Sequence, residues 1–175
     1  MNRVAITGVG IVSCLGTSQE AVAAGLYRGE SVVGIDPERV ALGFRSPLTT
    51  RIDGFDATRH LNRKARKTMT DFAVQAHAAV MEAVDAARLD PEDLQNNRTG
   101  LVFGCDSNCR AAIEQVDLVR QHHTTSAIGS GHVFCSMTSN ITMNLNALLK
   151  TQGACWTLSA ACSSGSPTGS RGCEC

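Results

Sequence analysis

The chain lacks net charge. Its sixteen Lys and Arg are matched by sixteen Asp and Glu, so no bulk field draws it to nucleic acid, and no nucleic-acid partner is expected. It lacks a long hydrophobic run: nothing approaches the ~20 apolar residues that a helix needs to cross a membrane. No secretory leader is expected, because the apolar stretch over residues 4–12 is interrupted by glycines and preceded by three residues, one of them basic. Eight cysteines occur without a single Cys-x-x-Cys pair, and no disulfide framework is recognisable. Without a secretory context the cysteines read as reduced and the chain as cytoplasmic. Internal repeats and low-complexity segments are absent too.

Two further absences bear on cofactors. Gly8-x-Gly10 follows an apolar stretch, but the third glycine of a dinucleotide fingerprint is missing and no acidic ribose partner is evident. His77 has no second ligand at metal spacing. His122 and His123 are adjacent, cannot face one way on a helix, and have no carboxylate or cysteine at ligand spacing. His77 is therefore read as structural and the His122–His123 pair as surface residues. No metal and no cofactor is expected.

What is there is alternation. Hydrophobic content of 43% and charge of 18% describe a soluble globular chain, and 175 residues suffice for one domain with a core. Short β-branched runs predict buried parallel strands over 4–12, 99–103 and 155–161. A helix is expected over 18–28, with Ser18 as N-cap, Glu20 in its first turn and Gly29 at its end. Residues 71–88 form the clearest helix, with Phe72, Ala76, Val80 and Val84 repeating every four positions. A third spans 140–150 with Ile141, Leu145 and Leu148 inward, and another covers 111–120. Residues 49–52 suggest a short strand, Asp90-Pro91-Glu92-Asp93 a turn or short helix, and the glycine-rich, polar residues 126–137 a loop. This pattern predicts an α/β fold.

The chain is organised around Cys162. An apolar run from Cys155 to Ala161 leads straight into it, and Ser163-Ser164-Gly165-Ser166 follows. Small residues at a strand-to-helix turn let the backbone bend sharply and a substrate approach closely. A sulfur at the positive end of the following helix sits in a field that favours the nucleophilic thiolate. The plainer reading is one more small, inert, buried cysteine.

Ser159-Ala160-Ala161-Cys162-Ser163-Ser164-Gly165-Ser166 resembles the active-site motif of the β-ketoacyl-[acyl-carrier-protein] synthases, the condensing enzymes of fatty acid and polyketide synthesis. Residues 4–13 with Leu15-Gly16 resemble the family's opening strand. So do Arg63-Lys64 with Met69 and Asp71, and Thr99-Gly100-Leu101-Val102-Phe103-Gly104, its middle. The resemblance runs in order from about Arg3 to Ser166, nearest to the elongating bacterial synthases of the first and second types. It implies the N-terminal part of a thiolase-like fold, a parallel-strand-rich mixed sheet with packed helices, incomplete as far as it goes.

The resemblance also implies roles. Cys162 would be the nucleophile that takes an acyl chain as a thioester, and its backbone N–H one donor to the oxyanion. Arg63, Lys64 and Lys67 fall where related synthases dock the acidic acyl carrier protein; the plainer reading is a solvated helix face. Cys105, Asp106 and Ser107 would border the acyl pocket, with Phe134 and Met137 approaching the partner subunit of an expected homodimer. The family's catalytic histidines and lysine follow the cysteine, and no position here matches them. Residues 1–166 are thus expected to form an incomplete synthase N-terminal domain, and 167–175, with Pro167 where the family continues a helix, an off-pattern tail. Condensation by these residues alone is not expected. Two alternatives stay open: a non-catalytic fragment or partner subunit acting by interaction, and a thiolase or other acyltransferase.

Overall fold

The computed structural model describes residues 3–106 and 109–165. Twelve regular elements follow in chain order: α1 (Gln19–Tyr27), β1 (Gly34–Ile35), α2 (Pro37–Ala41), β2 (Leu48–Thr49), α3 (Arg63–Arg66), α4 (Asp71–Ala87), α5 (Pro91–Leu94), β3 (Leu101–Gly104), α6 (Cys109–His122), α7 (Ser130–Cys135), α8 (Asn140–Leu149) and β4 (Cys155–Leu158). Single 3-10 turns lie at Ala57–Arg59, Thr125–Ala127 and Ala161–Ser163. The fold is mixed α/β, with one small antiparallel and one small parallel sheet. The described residues form two compact units. One holds residues up to Asp56 with Ala78–Arg88; the other holds Ala57–His77 and residues from Leu89 onward. No helix among the described residues is long and apolar enough to cross a membrane.

In the first unit, α1 starts where the sequence reading put it. Ser18 is extended and its hydroxyl accepts the Ala21 N–H at 3.3 Å, satisfying one of the donors that a helix start leaves free. Gly29 lies just beyond the helix with φ of 66°. β1 and β2 pair antiparallel, Gly34 opposite Thr49. Asp36 caps α2 by accepting the Glu38 N–H at 2.9 Å, and it pairs with Arg51 at 3.0 Å.

Residues 4–12 do not form the expected strand. They run extended along the second half of α4, passing against its backbone at Ala79 and Ala83. The Glu82 carboxylate accepts the Ile11 and Gln19 N–H groups, each at 2.8 Å. A strand is defined by a neighbour on its hydrogen-bonding edge, and among the described residues none pairs with this segment. β-branched composition suits a strand but does not supply the partner. Val4 and Ile6 remain 73% and 85% exposed.

The second unit is built on the parallel pair. β3 and β4 align Leu101 with Cys155 through Gly104 with Leu158. α8 packs on both strands, burying Ile141, Leu145 and Leu149, one residue per turn along one face. Leu148, expected inward, is 36% exposed because the stripe follows steps of four from Ile141. On α4 the buried positions are Ala73, Val74, His77 and Ala78, next to the row of Phe72, Ala76, Val80 and Val84. The alanines at 73 and 78 admit closer packing than that bulkier row.

The segment expected as a loop over 126–137 contains α7. Gly131 is buried within it against the Lys67 carbonyl, where a Cβ would overlap that oxygen. Composition suggested a loop; close approach to another backbone explains the glycine instead.

Candidate active site

Two neighbouring strand ends frame the cysteine. β4 stops at Leu158, Ser159 and Ala160 follow, and one 3-10 turn carries Ala161–Ser163. Cys162 is a free, exposed thiol on that turn, not the buried one of the plainer expectation. Ala161, just before it, holds φ at 49°, a left-handed conformation that a residue with a Cβ enters at a cost of about 1 kcal/mol. The turn is closed by Ser163 N–H to the Ala160 carbonyl at 3.1 Å and Ser164 N–H to the Ala161 carbonyl at 3.0 Å.

The adjacent strand end holds the turn in place. β3 ends at Gly104, and a Cβ there would overlap the Ser164 carbonyl; only glycine lets the two backbones meet so closely. Two residues on, the Asp106 carboxylate accepts hydrogen bonds from the Ser159 hydroxyl at Oδ1 and from the Ser164 hydroxyl at Oδ2, the latter at 2.7 Å. Ser164 is buried. Its Oγ also accepts the Ala160 N–H at 2.9 Å. The hydroxyl of Ser159, then that of Ser164, holds the Asp106 carboxyl below its ordinary value, and the N–H groups of Ala161 and Ala160 add to the effect.

The basic residues gather separately. Asn62 caps α3 by accepting the Ala65 N–H at 2.9 Å, and Lys67 follows at its C-cap. Arg63, Lys64 and Lys67 are exposed. Together with Arg66 they line one open depression. Arg66 also anchors the turn by donating to the Leu61 carbonyl at 3.1 Å.

Cys105 is buried, Asp106 is exposed beside the Cys162 turn, and Phe134 and Met137 are each 38% exposed on and after α7. Ser107 and residues 167–175 lie outside the described residues. A cavity of about 350 Å³ opens elsewhere in this unit, between the start of α4, α6 and α7, lined in part by Phe72, Arg110, Glu114, His132 and Cys135. Arg110 pairs with Glu114 there at 2.7 Å. Burial, then the charges of Asp71 and Glu114, push the Cys135 thiol up. His122 and His123 are exposed, as expected. Among the described residues no group of three or more His, Cys, Asp or Glu has the geometry to hold a metal. Sequence reasoning missed Ser159 and Ser164 as partners of Asp106, and no local signal links residues 53 and 58 positions apart.

The model of a family described as "Beta-ketoacyl synthase, N-terminal domain" matches residues 1–174. The chain belongs to this family. The 3-oxoacyl-[acyl-carrier-protein] synthase 1 of Haemophilus influenzae is 33% identical over 163 residues, covering 93% of this chain and 40% of its own length. The chain thus spans about 40% of the length of such curated relatives. Among solved structures, a β-ketoacyl synthase from Burkholderia phymatum matches with a TM-score of 0.79 at 24% identity, over 95% of this chain and 41% of that one. A type II PKS acyl-carrier protein in complex with its ketosynthase bound to the hexaketide matches with a TM-score of 0.67 at 20% identity, over 87% and 40%. These likenesses establish the ketosynthase fold, the thiolase-like arrangement expected from the sequence.

Proposed function

We propose that this chain provides the acyl-accepting part of a β-ketoacyl-[acyl-carrier-protein] synthase of fatty acid synthesis, with Cys162 as nucleophile. The observation that carries the reading is an exposed thiol on a tight turn at the end of a parallel strand, in a chain of this family. The Cys162 thiolate attacks the carbonyl carbon of an acyl thioester. The Cys162 N–H donates to the oxyanion as the tetrahedral intermediate forms. Collapse expels the carrier thiolate, which takes up a proton, and leaves the acyl group on Sγ. In the whole enzyme, a malonyl thioester then loses carbon dioxide. Its enolate attacks the acyl carbon and expels the Cys162 thiolate. Residues 1–166 act as the synthase N-terminal domain in this reading.

Arg63, Lys64 and Lys67 supply a local positive patch in a chain of zero net charge, suited to steering an acidic carrier protein. A ketosynthase of the same fold has been captured with its acyl-carrier protein. Phe134 and Met137 are assigned to the approach of a second copy in a homodimer, and Cys105 and Ser107 to the rim of the acyl site.

The test is mass spectrometry after incubation with acyl-loaded carrier protein or with cerulenin. The acyl mass is expected on the peptide containing Cys162. Label on another cysteine, with Cys162 unmodified, overturns the assignment.

A further inference from the structure

We infer that Asp106 is a positioning residue for Cys162, acting through Ser159 and Ser164; this rests on the reading of Cys162 as the acyl-accepting nucleophile. The two serines bracket Cys162, three residues before it and two after. Each hydroxyl meets a different oxygen of the one carboxylate. Asp106 therefore spans the turn from entry to exit, while its backbone belongs to the chain leaving the neighbouring strand. The strand ladder fixes one end of this clamp, since the Cys105 N–H donates to the Leu158 carbonyl at 2.9 Å. Gly104 fixes the other by letting the Ser164 backbone close against β3.

The turn needs such a clamp. Ala161 stands in the left-handed region, and a strained residue persists only where its surroundings over-determine it. Ser164 links both sides: its Oγ accepts from Ala160 N–H, and its single proton lies between Asp106 Oδ2 at 2.7 Å and the Ala161 carbonyl at 2.8 Å. An ionised Asp106 draws that proton outward, which leaves the Ala161 carbonyl less engaged and ties the turn to β3. Hydrogen bonds to a charged acceptor are the stronger kind. Asp106 touches no reacting atom in this arrangement. It sets the direction in which the Cys162 sulfur and N–H point, and both must be aligned for attack on a thioester.

The experiment compares the unaltered chain with Asp106→Ala, Ser159→Ala/Ser164→Ala, and the triple variant. Three readouts are taken: amide hydrogen exchange over residues 159–165, alkylation of Cys162 by iodoacetamide, and acyl transfer to Cys162 from hexanoyl-pantetheine. Exchange over 159–165 is expected to rise about tenfold in Asp106→Ala while exchange in α8 and the thermal midpoint stay unchanged. Acyl transfer is expected to fall about tenfold, and alkylation, which needs no oxyanion alignment, to change by less than twofold. The double-serine variant should lose at least as much as Asp106→Ala, since it also frees the Ala160 N–H, and the triple variant should add nothing to it, the behaviour of groups acting as one unit. Unchanged exchange over 159–165 in Asp106→Ala overturns the inference. So does a rise spread over the whole chain with a falling thermal midpoint, which marks a merely structural role, or losses that multiply in the triple variant. If the unaltered chain alkylates at Cys162 but accepts no acyl group, the acyl-accepting reading fails. The exchange result then still decides whether Asp106 holds the turn.

Discussion

The side chain of Asn140 meets both polar groups of Thr70: its Oδ1 accepts the Thr70 N–H and the Thr70 hydroxyl, each at 3.0 Å. Its Nδ2 donates to the carbonyls of Thr68 and Phe134, both at 2.8 Å. Asn140 is fully buried, and its one amide makes four hydrogen bonds there. It joins the first turn of α8 to the segment after the basic patch and to the end of α7. Replacing Asn140 by Ala leaves the Thr70 N–H without its acceptor, while the Thr68 carbonyl keeps the Asn144 amide and the Phe134 carbonyl the Met137 N–H. A buried group left unsatisfied costs about 1–3 kcal/mol, and a loss of about 3 kcal/mol is expected in urea unfolding. A loss below ~1 kcal/mol would mean that water enters and takes over the bonds.

Leu145 stands fully buried on the same helix, facing β3 and β4. Truncation to Ala removes the transferred side chain and leaves a void, which costs about 2–5 kcal/mol in a packed core. The neighbouring Leu148, partly exposed, should cost clearly less. Equal losses at the two positions, measured by the same denaturation, would contradict the observed face of α8.

His77 introduces a pH dependence. Its Nδ1 is buried without a partner among the described residues. Burial first, then the charge of His60, holds its pKa below 6.5. Above pH 6.5 the imidazole is neutral in folded and unfolded chains alike, and its contribution to stability is complete. As pH falls from 6.5 toward the lowered folded value, the unfolded chain binds the proton first, so stability drops. Thermal midpoints between pH 5 and 8 should show this slope, and His77→Gln should flatten it. A slope that persists in the variant belongs to another group.

Reversing the charge of Arg63, Lys64 and Lys67 to Glu should weaken binding of an acyl carrier protein, more at low salt than at high salt, because screening removes long-range attraction. The thermal midpoint should hardly move, since these side chains are exposed and surface charges contribute little to stability. Calorimetric titration at two salt concentrations decides between a docking patch and an ordinary solvated face.

Gly104→Ala places a methyl group into the Ser164 carbonyl. Backbone cannot yield as a flexible side chain does, and overpacking of this kind costs about 1–3 kcal/mol. Beyond that loss, faster exchange should be confined to residues 159–165. Unaltered melting and exchange would show that the two strand ends are not in contact in solution.

Local chemistry made much of this chain readable from sequence. Ser18 capped α1 and Asn140 opened α8 because capping and helical period act over three or four residues. The motif around Cys162 is contiguous, and Arg63, Lys64 and Lys67 form a patch because they are near one another along the chain. What depends on distant partners was decided only by tertiary structure. Residues 4–12 have the composition of a strand, but no neighbouring strand pairs with them among the described residues. α7 forms in glycine-rich sequence because Gly131 fits against the Lys67 backbone. The bonds of Asp106 to Ser159 and Ser164 cross more than fifty residues. They exist only once β3 and β4 lie side by side, since a hydrogen bond requires its atoms within about 3 Å, and folding alone brings them there.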